Sequence, residues 1–253
     1  MDDLSKVVSI ENIKVACKNC SLSSLCLPMA LAADDVDRLD RIVKRARPLH
    51  RGDHLFRVGD SFHSLFVVKT GSIKTYTPSE DGGEQVLGFH LPGEIIGLDA
   101  IEADHHRCSA KILETSAVCE IPFANLEELS TAIPSLQHQM YRVLSREISQ
   151  DTEMLTLLGR KSADERLATF LLSLSGRFER RGFSARDFYL SMSRHEIGSY
   201  LGLAVETVSR LFTRFQDEGL LEVERKHIKL NDLDRLRTMV QGAPVDNSSR
   251  RCR

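Results

Sequence analysis

Residues 134–160, PSLQHQMYRVLSREISQDTEMLTLLGR, leave the chain few ways to fold. Within them Tyr141, Leu144, Ile148, Asp151, Leu155 and Leu158 follow one another at steps of three, four, three, four and three. That period draws a heptad seam, the pattern of a helix packing lengthwise on a partner helix. A seam that faces outward calls for a second copy of the chain. One position is wrong for the purpose: Asp151 stands where an apolar knob belongs. Two such carboxylates about 6 Å apart, at an effective dielectric near 20, repel by about 3 kcal/mol. The helix therefore opposes its own assembly at one point, and a poised switch is expected there.

The 253 residues on either side of and including this helix suffice for two domains, each with its own core. The formal charge of −2 hides an asymmetry: residues 1–158 carry 16 Lys and Arg against 23 Asp and Glu, whereas residues 159–253 carry 18 against 13. A basic C-terminal part suits a polyanion, and an acidic N-terminal part discourages non-specific capture. No apolar run approaches the roughly 18 residues of a membrane span. The acidic start Met1-Asp2-Asp3 is unlike a secretory signal, so a cytoplasmic location without membrane contact is expected.

Six cysteines without a secretory signal argue against a disulfide framework. Three of them, in Cys17-Lys-Asn-Cys20-Ser-Leu-Ser-Ser-Leu-Cys26, are spaced so that their thiolates can converge on one metal centre. C-x2-C is common in zinc sites. A fourth thiolate is needed for either zinc or another metal, and Cys119, Cys108 and Cys252 are the choices. Cys252 lies in a tail that reads as disordered. An amphipathic helix is expected from about Asp34 to Leu49, stopping at Pro48. After it come short β-like runs punctuated by glycine: 54–58, 64–68, 72–77, 85–90, 95–97, 109–114 and 117–122. Short strands at even intervals predict an antiparallel β-roll or jelly roll. A cupin-like enzyme would place metal-binding histidines in such a roll, but His90, His105 and His106 lack the paired spacing; a regulatory module fits better.

Ser193-Arg-His-Glu196 has the form of a capping box, followed by buried-type Ile197 and Leu201 and by Gly202 at a turn. A second helix is expected from Ala204 or Val205 to Glu218, stopped by Gly219, which completes a helix-turn-helix. Val208, Leu211, Phe212 and Phe215 face inward. Glu206, Ser209 and Arg210 share a polar face at the end that enters a major groove. Arg210 can grip guanine, Glu206 can accept from cytosine, and Ser209 can bond either base or phosphate. Arg194, Thr207 and Arg214 are expected on the DNA backbone, and 220–223 with 227–230 form a wing around Arg225 and Lys226.

Roll, long helix and winged helix-turn-helix together resemble the cyclic-AMP-receptor/FNR family of bacterial transcription regulators, in its oxygen-responsive FNR-type branch. The residues that carry the resemblance are the C-x2-C-x5-C loop, GFHLPGEIIGLDAI, SAVCEIPF and YLGLAVETVSRLFTRF. It implies an α+β chain: a cluster-binding segment (1–30), a cyclic-nucleotide-binding-like β-roll (31–133), a dimerisation helix (134–160), a DNA-binding domain (161–240) and a tail (241–253). It further implies that Cys17, Cys20, Cys26 and Cys119 hold one [4Fe–4S] cluster per subunit, shielded by Leu25, with Cys108 and Cys252 as bystanders. Oxygen would convert the cluster to [2Fe–2S] and return the homodimer to monomers, and in this family an aspartate at the position of Asp151 serves that switch. Palindromic promoter DNA with TTGAT-like half-sites is the implied target, and RNA polymerase the implied partner, through the loop Thr77–Glu84 and the C-terminal domain. A cyclic-nucleotide receptor of the same fold is the rival. Its Arg-Ser pair and ribose-binding Glu correspond here to Arg107-Cys108 and to Leu98 after Gly97, so only the arginine survives. An iron–sulfur electron carrier would have no use for the helix-turn-helix.

Overall fold

The computed structural model describes residues 16–45, 47–79 and 82–241. The expectations for most of the first sixteen residues, for Glu80 and Asp81, and for the tail with Cys252 lie outside the described residues. The first helix, α1, spans Ala33–Ile42 and buries Val36 and Leu39. It is shorter than the Asp34–Leu49 expected. Lys44–Arg45 leave it as a strand, β1, which pairs with β8 (Ala117–Pro122) and sets Lys44 opposite Glu120 and Arg45 opposite Cys119. The competing partners are 76 and 74 residues away, so helical periodicity alone could not reveal them.

The glycine-punctuated runs do form strands: β2 (His54–Phe56), β3 (Ser64–Thr70), β4 (Ile73–Pro78), β5 (Glu84–His90), β6 (Ile95–Ile96) and β7 (Ser109–Ile112). They close into two four-stranded antiparallel sheets, ordered β1-β8-β3-β6 and β2-β7-β4-β5. Phe56, Val68, Ile73, Ile96, Ala110, Ile112 and Val118 fill the space between them. Helix α2 (Phe123–Ala132) then leads through Ile133 into α3 (Pro134–Arg160), whose proline occupies a first-turn position that needs no backbone donor. The start of α3 packs on the roll and α2 through Leu136 and Val143. Its end is built into the C-terminal core through Leu157.

That C-terminal domain starts with α4 (Ala163–Glu179), opened by a capping box between Ser162 and Glu165. A three-stranded sheet follows, ordered β10 (Leu221–Glu224), β11 (His227–Leu230) and β9 (Asp187–Tyr189). Helices α5 (Arg194–Leu201), α6 (Val205–Asp217) and α7 (Leu233–Gln241) complete it. Among the described residues no helix is long and apolar enough to cross a membrane.

Roll and C-terminal domain share one apolar core. Val86, Phe89, Leu91 and Leu113 of the roll join Leu167, Phe170, Leu171, Ile197 and Leu201, and the Phe89 ring lies 5.1 Å from that of Tyr200. Polar bonds fix the register. The Ser199 hydroxyl donates to the Glu84 carbonyl at 2.6 Å and accepts from the Val86 N–H at 2.8 Å. The buried Lys74 ammonium pairs with Glu84 and, at 2.9 Å, with Glu196. Glu94 accepts from Arg177 Nε at 3.0 Å, from Arg181 Nη2 at 2.6 Å and from the Leu91 N–H at 3.0 Å. Burial works against the Glu94 charge, but the two guanidinium groups outweigh it and hold the carboxyl down at about 2. A carboxyl so depressed stabilises the fold above its unfolded value near 4.5, and loses that contribution as the pH falls toward 2. Glu94→Gln is therefore expected to cost about 2–3 kcal/mol at neutral pH and to flatten the acid limb of stability between those limits. Thermal melts across that range measure both effects.

Candidate metal centre and nucleic-acid interface

Cys17, Cys20, Cys26 and Cys119 line a single pocket, together with Leu22, Leu27, Leu39, Val67 and Ile121. Cys17 opens a short 3-10 turn (Cys17–Asn19), which is held because Asp40 at the end of α1 accepts its N–H at 2.8 Å. Cys119 enters from β8, opposite Val67 on β3. None of the four is in a disulfide. Burial pushes the Cys17 thiol up to about 12, helped by Asp40 and Cys26; it does the same to Cys26, helped by Cys119 and Cys20. The sulfurs are thus close enough to act on one another. Among the described residues no three His, Cys, Asp or Glu side chains stand arranged as a finished metal-ion site.

Two features fit a thiolate-ligated anionic centre. The walls are apolar, and Arg45 lies beside Cys17 and Cys119 with its Nε buried and unpartnered. A buried donor without an acceptor calls for an explanation, and an anionic centre at the thiols supplies one. Nothing local in the sequence marks Arg45, because its segment continues the amphipathic pattern of α1 and only pairing with β8 brings it to Cys119. Leu25, expected as a shield, has its Cβ 3.0 Å from where a side chain on Gly93 would begin. Cys108 lies elsewhere, buried in the roll and donating to Asp99.

The other chemistries considered are not assembled. His90 meets Thr75, His105 meets the Ala103 carbonyl, and His106 stacks on Phe56 at 3.5 Å. Arg107 is 60 % exposed and pairs with Glu102, while Asp99 accepts its backbone N–H and faces His106 and Cys108.

On α3, Tyr141, Ile148 and Leu155 are 58 %, 67 % and 73 % exposed, although each is large and apolar. They fall seven residues apart and form the solvent-facing stripe of the expected seam. Asp151 is exposed among them, and Leu144 is half-buried. Leu158, at the lower end, is half-buried and reaches toward Gly202 of its own helix-turn-helix. One turn before Asp151, the Glu147 carboxyl is pushed up to about 6 by burial and by the charges of Glu94 and Asp151.

The reader is built as expected. Ser193 and Glu196 close a reciprocal capping box, and Gly202 ends α5 in the left-handed conformation at φ 62°. Helix α6 buries Val208, Leu211, Phe212 and Phe215 and exposes Glu206, Ser209 and Arg210. The Ser209 hydroxyl donates to the Val205 carbonyl one turn back. Thr207 is half-buried. Arg194 stacks over the Phe212 ring at 3.3 Å, and burial pushes it down to about 10. Arg214 pairs with Asp164 and, at 3.9 Å, with Glu218. Arg194 is thus held against a ring and Arg214 in a surface ion pair. At the wing tip Arg225 has φ 58°, next to Lys226.

Residues 165–239 match the Crp-like helix-turn-helix domain, and residues 46–132 match the cyclic nucleotide-binding domain. The chain is 53 % identical over 239 residues to the transcriptional activator protein FnrA of Stutzerimonas stutzeri, covering 92 % of this chain and 98 % of that protein. It is 55 % identical over 216 residues to the transcriptional activator protein Anr of Pseudomonas aeruginosa, covering 85 % and 88 %. Identity to the fumarate and nitrate reduction regulatory protein of Escherichia coli is 49 % over 222 residues, covering 88 % and 89 %. The structure of FixK2 from Bradyrhizobium japonicum superposes with a TM-score of 0.73 at 28 % identity, covering 80 % of this chain and 99 % of that one. The chain belongs to the Crp/FNR family, in its FNR-type branch: it is a DNA-binding transcription regulator and not an enzyme.

Proposed function

We propose that this chain is a cytoplasmic, oxygen-responsive activator of genes for anaerobic respiration. In this reading it works as a homodimer with one [4Fe–4S] cluster per subunit on Cys17, Cys20, Cys26 and Cys119. The observation that carries the reading is the convergence of four free thiols on one apolar pocket in a subunit whose α3 leaves an apolar stripe in water. A bound iron–sulfur cluster supplies an oxygen-labile centre whose stability depends on its apolar surroundings and on access. The protein's own residues do the rest. Leu25 and Leu22 limit access to the pocket. Tyr141, Leu144, Ile148, Leu155 and Leu158 favour pairing of two α3 helices, and Asp151 opposes it. Pairing sets two α6 helices about 34 Å apart, one duplex turn, on a palindrome of TTGAT-like half-sites. There Glu206, Ser209 and Arg210 read base edges, while Thr207, Arg194 and Arg214 belong to the backbone contacts. Arg194 and Arg214 must first leave Phe212 and Asp164. The loop Thr77–Glu84 and the surface of the C-terminal domain are proposed for RNA polymerase.

Anaerobic purification tests the cluster. About four iron and four sulfide per chain are expected, with visible absorbance that bleaches in air as sedimentation reports dissociation. A colourless zinc protein that stays dimeric in air would refute the reading. Asp151→Ala is expected to tighten the dimer by up to about 100-fold, from the repulsion of about 3 kcal/mol that it removes, and to bind DNA in air. A variant that remains monomeric shows that Asp151 does not face its twin. Replacing Arg210 by Ala should cost about 1–3 kcal/mol of specific binding and relax preference at one base pair, as read in a binding selection. Unchanged preference would remove Arg210 from the base contacts.

A further inference from the structure

The ion pair between Arg45 and Asp40 ties the cysteine pocket together. Asp40, in the last turn of α1, accepts the Cys17 N–H at 2.8 Å and pairs with Arg45 Nη2. Arg45 stands on β1 directly across from Cys119 on β8. Its side chain is only 19 % exposed, and its Nε is buried without an acceptor. The guanidinium therefore has one arm committed to Asp40 and another donor free, next to two of the four sulfurs. An arginine cannot shed its charge as a lysine can, so a positive charge is fixed behind the pocket lining, on the strand beside Cys119.

We propose that Arg45 is a positioning and tuning residue for the cluster proposed above: its guanidinium is the counter-cation of the cluster, held by Asp40 against Cys17 and Cys119. The inference rests on the iron–sulfur reading of the pocket. A tetrathiolate iron–sulfur centre is anionic and becomes more so when it gains an electron. A fixed cation therefore favours the reduced form, and hydrogen bonds and charge beside the sulfurs are established levers on potential. Opposite charges within about 4–6 Å shift protonation equilibria by one to three powers of ten, and an electron added nearby feels the same field. Lys69, which does line the pocket, acts on Cys119 in the same sense, so loss of Arg45 leaves part of the field in place.

The test compares full-length wild type with Arg45→Met, Arg45→Gln and Arg45→Lys, all purified anaerobically. Iron and sulfide content, circular dichroism and a redox titration with mediator dyes are measured on each. The Met and Gln variants are expected to hold a cluster whose reduced-to-oxidised ratio is about tenfold lower at the potential where wild type is half reduced, a shift of about 59 mV for one electron. The Lys variant, which keeps the charge, is expected to return most of that shift. Folded, cluster-loaded Met and Gln variants with the wild-type potential overturn the proposal and leave the cluster reading intact. A Lys variant shifted as far as Met overturns the role of charge. If wild type itself carries no sulfide, the reading beneath the proposal fails, and the proposal with it. Should Met fail to fold, Gln carries the comparison.

Discussion

Glu94 joins the two halves of the subunit. Its carboxylate takes donors from Arg177 of α4, from Arg181 in the turn just after α4 and from the Leu91 backbone, and the Arg181 Nε also reaches the Pro92 carbonyl at 2.7 Å. A partly buried carboxylate left without these donors would be costly, so the turn Leu91–Glu94 and the DNA-binding domain keep one relative position. The same turn borders the cysteine loop. Gly93 donates to the Val68 carbonyl at 2.7 Å, Val68 donates to the Glu94 carbonyl at 3.0 Å, and Val67 and Val68 form a wall of the cysteine pocket. Any side chain at position 93 would meet Leu25 at 3.0 Å and would also have to accept φ 92°. A single turn of backbone is thus packed on one side by the cysteine loop and bonded on the other to the reader.

Helix α3 answers to three environments along its length. Leu136 and Val143 are fixed by the roll, and Leu157 by the C-terminal core, so the ends cannot rotate independently of the domains they serve. Between them the helix turns Tyr141, Ile148 and Leu155 to water. Apolar residues scattered singly on a surface need no explanation, but a row of them at one heptad position does. The acidic pair Glu147 and Asp151 stands one helical turn apart beside that row, where the proposed pairing of two α3 helices would have to accommodate it. Glu147 already feels Glu94 and Asp151 within its own subunit, so negative charge accumulates at the middle of the helix before any second chain arrives.

Much of this was legible in the sequence because the signals were local. Glycine spacing marked the strands of the roll, the Ser193–Glu196 box marked the start of α5, and the 3.6-residue period of α6 sorted its buried from its exposed residues. The segment 161–192 escaped, although Ser162-Ala-Asp-Glu165 has the same capping form as Ser193–Glu196 and opens α4. The strand β1 escaped for a different reason. Lys44 and Arg45 continue a helical pattern, and only pairing with Glu120 and Cys119 makes them extended. The intramolecular partners of Arg194 and Arg214 were equally hidden, since a cation near a recognition helix reads as a phosphate contact until the Phe212 ring and the surface carboxylate of Asp164 are seen beside it.

The cysteine pocket combines demands that seem opposed. Metal ligation needs thiolates, yet burial holds Cys17 and Cys26 protonated far above neutral pH. Protonation has a use, because the thiolate and not the thiol is the species that oxidises and exchanges. Four thiols brought together in an apolar pocket would otherwise be well placed to form disulfides, and here they are free. In the proposed cluster-bound state their ionisation would be driven by the metal centre itself, whose positive charge replaces the protons. Arg45 lowers that cost on one side of the pocket, whereas Asp40, bonded to Cys17, raises it. The aspartate is tolerable because the guanidinium neutralises it, and the pair is therefore better understood as one unit that fixes the backbone of Cys17 and leaves the Arg45 Nε buried without an acceptor.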